Sequence, residues 1–95
     1  MRLSEEKAAF IVREVRALRK DAEVYLFGSR VDDGDKGGDI DILILSEKRL
    51  HFFERGSLES GFWSKFGQQK IDFVSFTYED NSPFKTIALQ NALAL

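Results

Sequence analysis

Three pieces of the chain carry residue types suited to phosphate and cation chemistry. The first is Leu26-Phe27-Gly28-Ser29-Arg30, an apolar run that ends on a glycine and a serine. Glycine permits close backbone approach, and a serine hydroxyl with nearby amides can cradle phosphate oxygens. Arg30 adds a planar fork of donors that matches phosphate charge. The second piece is Asp39-Ile40-Asp41-Ile42-Leu43-Ile44, where strand alternation sends Asp39 and Asp41 to one face and Ile40, Ile42 and Ile44 to the other. The third, Lys70-Ile71-Asp72-Phe73-Val74-Ser75-Phe76, offers Asp72 in a similar apolar setting.

Each piece alone has an ordinary explanation. A glycine-serine pair after a strand is a turn, an arginine beside it is a solvated arginine, and Asp-x-Asp marks where strands leave turns; Asp33-Gly34-Asp35 fits that pattern too. Electrostatics shifts the balance. Carboxylates 4 Å apart repel by about 4 kcal/mol per pair at an effective dielectric near 20, a cost that a marginally stable domain carries only with bound cations. Both acidic positions sit in the most strand-like apolar runs of the chain, which normally pair within one sheet. The expectation is therefore a shared site in which Asp39, Asp41 and Asp72 hold magnesium. Two such ions roughly 3.5–4 Å apart activate an attacking oxygen and stabilise a leaving one. With Gly28, Ser29 and Arg30 on the phosphates, this is the layout of nucleotidyl transfer.

Gly28-Ser29-Arg30, Asp39-Ile40-Asp41 and Asp72 together resemble the signature of the polymerase-beta-like nucleotidyltransferase superfamily. The run from Leu26 to Asp41 is similar to the minimal nucleotidyltransferases, the MNT proteins encoded beside HEPN-domain ribonucleases, and the resemblance covers roughly residues 8 to 90. It implies magnesium-dependent transfer of a nucleoside monophosphate, AMP from ATP, with Asp39, Asp41 and Asp72 as catalytic metal ligands. It also implies a HEPN toxin as partner, silenced by modification of a tyrosine. Larger relatives append a second domain that helps hold the base or acceptor, for which a chain of 95 residues has no room. Two rival classes stay open beside this one: an antitoxin that neutralises its partner by contact alone, and a transferase acting on RNA ends or a small molecule.

Composition fits one compact domain over residues 1–95, since 43% apolar content supplies a real but modest core. With 14 basic and 16 acidic residues the net charge is -2, which argues against a protein that mainly coats nucleic acid. No cysteine is present, which removes disulfides and zinc-thiolate sites. The N-terminal residues lack an apolar signal core and no stretch approaches membrane-spanning length, so a cytoplasmic setting is expected. The acidic, glycine-rich stretch 31–38 fails as a calcium loop. Counted from Asp33, Gly37 stands at the fifth place and Ile44 at the twelfth, where oxygen ligands are needed.

The elements that must position these residues follow from periodicity. Ser4 reads as an N-cap with Glu5 and Glu6 in the first turn, and Ala8, Ile11, Val15 and Leu18 recur at helical spacing to about Lys20. Arg13, Arg16, Arg19 and Lys20 are expected on its solvated side. Residues 46–67 read as helical with a break near Gly56-Ser57, and Leu50, Phe53, Leu58, Phe62 and Phe66 form its apolar stripe, with Phe52 and Trp63 off it. His51 is read as a surface residue. Ser82-Pro83 fits an N-cap and first helical position. The order predicts an α/β (α+β) domain of three or more strands with helices on one side, and the superfamily resemblance implies that the sheet is mixed.

Overall fold

The computed structural model describes residues 3–28, 39–67 and 69–95. Its elements run α1 (Glu5–Leu18), β1 (Glu23–Phe27), β2 (Ile40–Ser46), α2 (Phe52–Phe66), β3 (Ile71–Thr77), α3 (Pro83–Gln90) and β4 (Leu93–Ala94). The strands form one mixed sheet in the order β3-β2-β1-β4. β2 is its centre, antiparallel to β1 and parallel to β3, while β4 runs antiparallel to β1 at the edge. Parallel neighbours need a crossover, and α2 supplies it between β2 and β3.

One face of the sheet carries the main core. Val24, Leu26, Ile40, Ile42, Ile44, Ile71 and Phe73 meet Ile11 and Val15 of α1 and Leu58 and Phe62 of α2 in a single cluster. α1 starts where the Ser4 hydroxyl accepts the Lys7 N–H at 3.2 Å. The two helices are joined through aromatic rings: Phe10 meets Phe62 and Phe66 edge-on, with centroids 6.3 and 5.4 Å away.

The opposite face is covered as well, contrary to the expectation of helices on one side. Leu43 and Leu45 are buried yet lie outside the main cluster. α3 crosses on that side, where the Phe84 ring meets Phe27 edge-on at 6.0 Å and lies tilted against Phe76 at 6.1 Å. Its anchor is Lys85, buried, whose Nζ donates to the carbonyls of Thr77, Tyr78 and Asp80 at 3.1, 2.8 and 3.0 Å. Three acceptors satisfy the three ammonium protons, which is what lets a lysine be buried here.

Residues 46–67 divide differently from the periodicity. Ser46 is still in the sheet, opposite Thr77, and the following residues form an extended strap in which the Leu50 N–H donates to Ser75 Oγ at 2.9 Å. α2 then runs through Gly56 without a break. Because it begins at Phe52, Phe53 lies five residues before Leu58, about 140° around the helix, and is exposed with Phe52 rather than part of the stripe. His51 is the N-cap residue, and its N–H is accepted by Glu54 Oε1 at 3.1 Å.

Arg19 is also not the solvated residue that its spacing suggested. α1 ends at Leu18, and Arg19 turns to donate to Glu54 Oε1 and Oε2 at 2.8 and 3.0 Å and to the carbonyls of Lys48 and Arg49 at 2.9 and 3.2 Å. The guanidinium hydrogen bond, followed by the His51 N–H, holds the Glu54 carboxyl below its ordinary pKa. The resulting stability is present above the unfolded value near 4.5 and is lost as pH falls through the lowered one. Glu54→Gln should cost about 1–2 kcal/mol at pH 7 in denaturant melts, as for a partly screened charge-assisted bond. Below pH 4 the difference from wild type should shrink.

Candidate active site

The candidate site forms where β2 and β3 begin and β1 ends. The parallel register sets Ile40 opposite Ile71 and Asp41 opposite Asp72. Both isoleucines belong to the main core, so strand alternation turns both carboxylates to the other face as neighbours. Asp39 stands just before β2 and adds its charge to theirs. Asp41 is half-buried, whereas Asp39 and Asp72 are exposed. The Asp41 carboxyl accordingly holds its proton above the ordinary range: partial burial contributes most, the Asp72 and Asp39 charges add to it, and Lys70 works against them.

Gly28 follows β1 directly against Asp41. Its φ of +84° is in the left-handed region, and a Cβ added there would stand 2.6 Å from Asp41 Oδ2. A side chain there would have to take a left-handed φ and push the Asp41 carboxylate aside, so glycine is what lets the end of β1 lie against it. Ser29 and Arg30, the other residues expected on phosphate, lie outside the described residues.

Sequence patterning did not single out Lys70, because one lysine before a strand is unremarkable. Its Nζ lies 3.6 Å from Asp39 Oδ2. The Ile40 N–H donates to its carbonyl at 3.0 Å, tying the start of β3 to the start of β2.

Among the described residues no three His, Cys, Asp or Glu side chains stand as a preformed cage for an ion. Magnesium does not require one. It is a hard cation usually held by one or two carboxylates together with substrate phosphates and waters. An open row of carboxylates beside a glycine at positive φ fits that kind of binding.

The family described as "Nucleotidyltransferase domain" matches residues 10–95, and the chain belongs to it. Solved structures share the fold. A toxin–antitoxin complex of MntA and HpeT in mutant form has a TM-score of 0.72 at 21% identity, covering 97% of this chain and 71% of that one. A tri-AMPylated Shewanella oneidensis HEPN toxin in complex with MNT antitoxin has a TM-score of 0.69 at 20% identity, covering 97% and 71%. A toxin–antitoxin structure with AMP-PNP gives 0.72 at 23% identity, covering 97% and 72%. No curated protein matches the chain in sequence.

Two substitutions test the geometry. A carboxyl whose pKa is raised by folding penalises the folded state once pH exceeds its unfolded value, and the penalty is complete above the raised one. Asp41→Asn should therefore melt a few degrees higher than wild type at pH 7 in chelator, with the gap closing below pH 4. Gly28→Ala must adopt a left-handed φ and displace the Asp41 carboxylate. It should be less stable by at least about 1 kcal/mol in the same melts.

Proposed function

We propose that the chain is a magnesium-dependent nucleotidyltransferase that moves AMP from ATP onto a tyrosine of a partner HEPN toxin in the cytoplasm, and so acts as its antitoxin. The observation that carries this reading is the registered pair Asp41 and Asp72 beside Asp39, in a chain of this family. Support for the partner and the nucleotide comes from the similar folds, one described in complex with a tri-AMPylated HEPN toxin and another with AMP-PNP. Exposed Phe52 and Phe53 on α2, 72% and 78% accessible, add apolar surface of the kind that protein partners cover.

In this reading Asp39, Asp41 and Asp72 hold magnesium, and Gly28, Ser29 and Arg30 hold the phosphates. The bound cation supplies charge neutralisation at the phosphates and favours the ionised form of the attacking hydroxyl. The chain's own task is alignment. The tyrosine oxygen forms a bond to the α-phosphorus, the bond from that phosphorus to the bridging oxygen of the β-phosphate breaks, and pyrophosphate leaves. Asp72, the more exposed of the registered pair, is the carboxylate that an incoming hydroxyl reaches, and it accepts the phenolic proton. Positioning by a docked partner contributes roughly 7–11 kcal/mol to lowering such a barrier, so transfer to an undocked tyrosine should be far slower.

Intact-mass measurement of the HEPN protein, incubated with this chain and ATP, should show gains of AMP units. These gains should vanish for Asp41→Asn while the two proteins still copurify. Undiminished transfer by that variant would reject the assigned carboxylates. Full silencing of the toxin by an Asp39→Asn, Asp41→Asn double variant, with no mass gain, would establish neutralisation by contact. Incorporation into RNA or a small molecule instead would move the acceptor to that class.

A further inference from the structure

We infer that Lys70 is a positioning residue for the nucleotide: it serves as a stand-in cation at the carboxylate row, gives way when a divalent ion arrives, and then pairs with the triphosphate. The inference rests on the nucleotidyltransferase reading and deepens it.

The backbone around Lys70 is held, while its side chain is largely exposed. Trp63 Nε1 donates to the Gln69 carbonyl at 2.7 Å, Lys7 Nζ donates to Gln69 Oε1 at 3.2 Å, and the Lys70 carbonyl accepts the Ile40 N–H at 3.0 Å. From this fixed base the side chain leans to Asp39, with Nζ 3.6 Å from Oδ2. The two side chains are 68% and 50% exposed, so the pair is weak and easily exchanged. The charge of Lys70 also reaches Asp41. Among the described residues it is the cation paired with this row.

A divalent cation on Asp39, Asp41 and Asp72 removes the reason for that pairing. It takes up the negative charge that held the ammonium and adds like-charge repulsion of its own. A triphosphate held on the same ion would offer the released ammonium a new counter-charge. A compact ammonium on a flexible stem is suited to such a change of partner, in contrast to a guanidinium bound in a rigid fork. The lysine thereby lowers repulsion within the empty row and contributes to nucleotide binding in the filled one.

The two roles predict effects of opposite sign. With the full chain, manganese binding is measured without nucleotide by the loss of the free-ion paramagnetic resonance signal, and AMP-PNP binding in saturating manganese by calorimetry. Lys70→Met should bind manganese alone several-fold more tightly, because a competitor is gone. It should bind AMP-PNP about tenfold more weakly, because a charge-assisted contact is lost. Lys70→Arg, which keeps the charge, should restore most of the nucleotide affinity. Both affinities unchanged in Lys70→Met, or both shifted in the same direction, would overturn the inference while leaving wild-type binding and the nucleotidyltransferase reading in place. A wild-type chain that binds neither manganese nor AMP-PNP would overturn both.

Discussion

A slip of one residue between β2 and β3 would send Asp41 or Asp72 into the main core and bring an isoleucine to the surface in its place, because side chains alternate with period two. The parallel register of these strands is therefore the constraint on which the candidate site depends. It is secured from both ends. The Ile40 N–H to Lys70 carbonyl bond closes the start, and at the finish the Ser75 hydroxyl accepts the Leu50 N–H from the strap that leads into α2. Between them, Ile40, Ile42, Ile71 and Phe73 penalise any other alignment by exposing apolar area.

The same alignment that secures the core creates an electrostatic cost. Neighbouring carboxylates at the head of a parallel pair repel each other, and Asp41 bears most of this because it is also partly desolvated. Such a cost persists where surrounding structure over-determines it. Here the core holds the strands that carry the pair, and Gly28 lies against Asp41. Unfavourable charge placed on a rigid edge is a common property of sites built to meet a cation.

Much of this was legible in the residues. Period-two alternation over Asp39–Ile44 and Ile71–Phe76 placed the carboxylates on one face. Ser4 and Ser82 marked two helix starts through a local hydrogen bond that depends on residue type alone. What escaped the sequence is decided by tertiary contacts. The start of α2 is deferred to Phe52 because Ser46 remains paired in the sheet and Ser75 captures Leu50, and that shift in phase exposes Phe53. Arg19 is claimed by a glutamate 35 positions away. β4, only two residues long, exists through its pairing with Tyr25 and Leu26. Lys70 gains its place from Asp39, 31 positions earlier in the chain, and no spacing rule announces such a partner.

The placement of α3 divides the apolar interior unequally. On one side the sheet meets two long helices across a large cluster; on the other it meets a single eight-residue helix, over Leu43, Leu45 and an aromatic trio, tethered by one ammonium in a ring of carbonyls. Free energies of local opening follow the amount of apolar contact that must be given up. On this ground the thinner layer should open before the α1/α2 side does. Phe27, one end of the aromatic trio, directly precedes Gly28, so this thinner layer borders the glycine that lies against Asp41. Amide exchange in α3 and β4 would report the breathing of that border, separately from global unfolding.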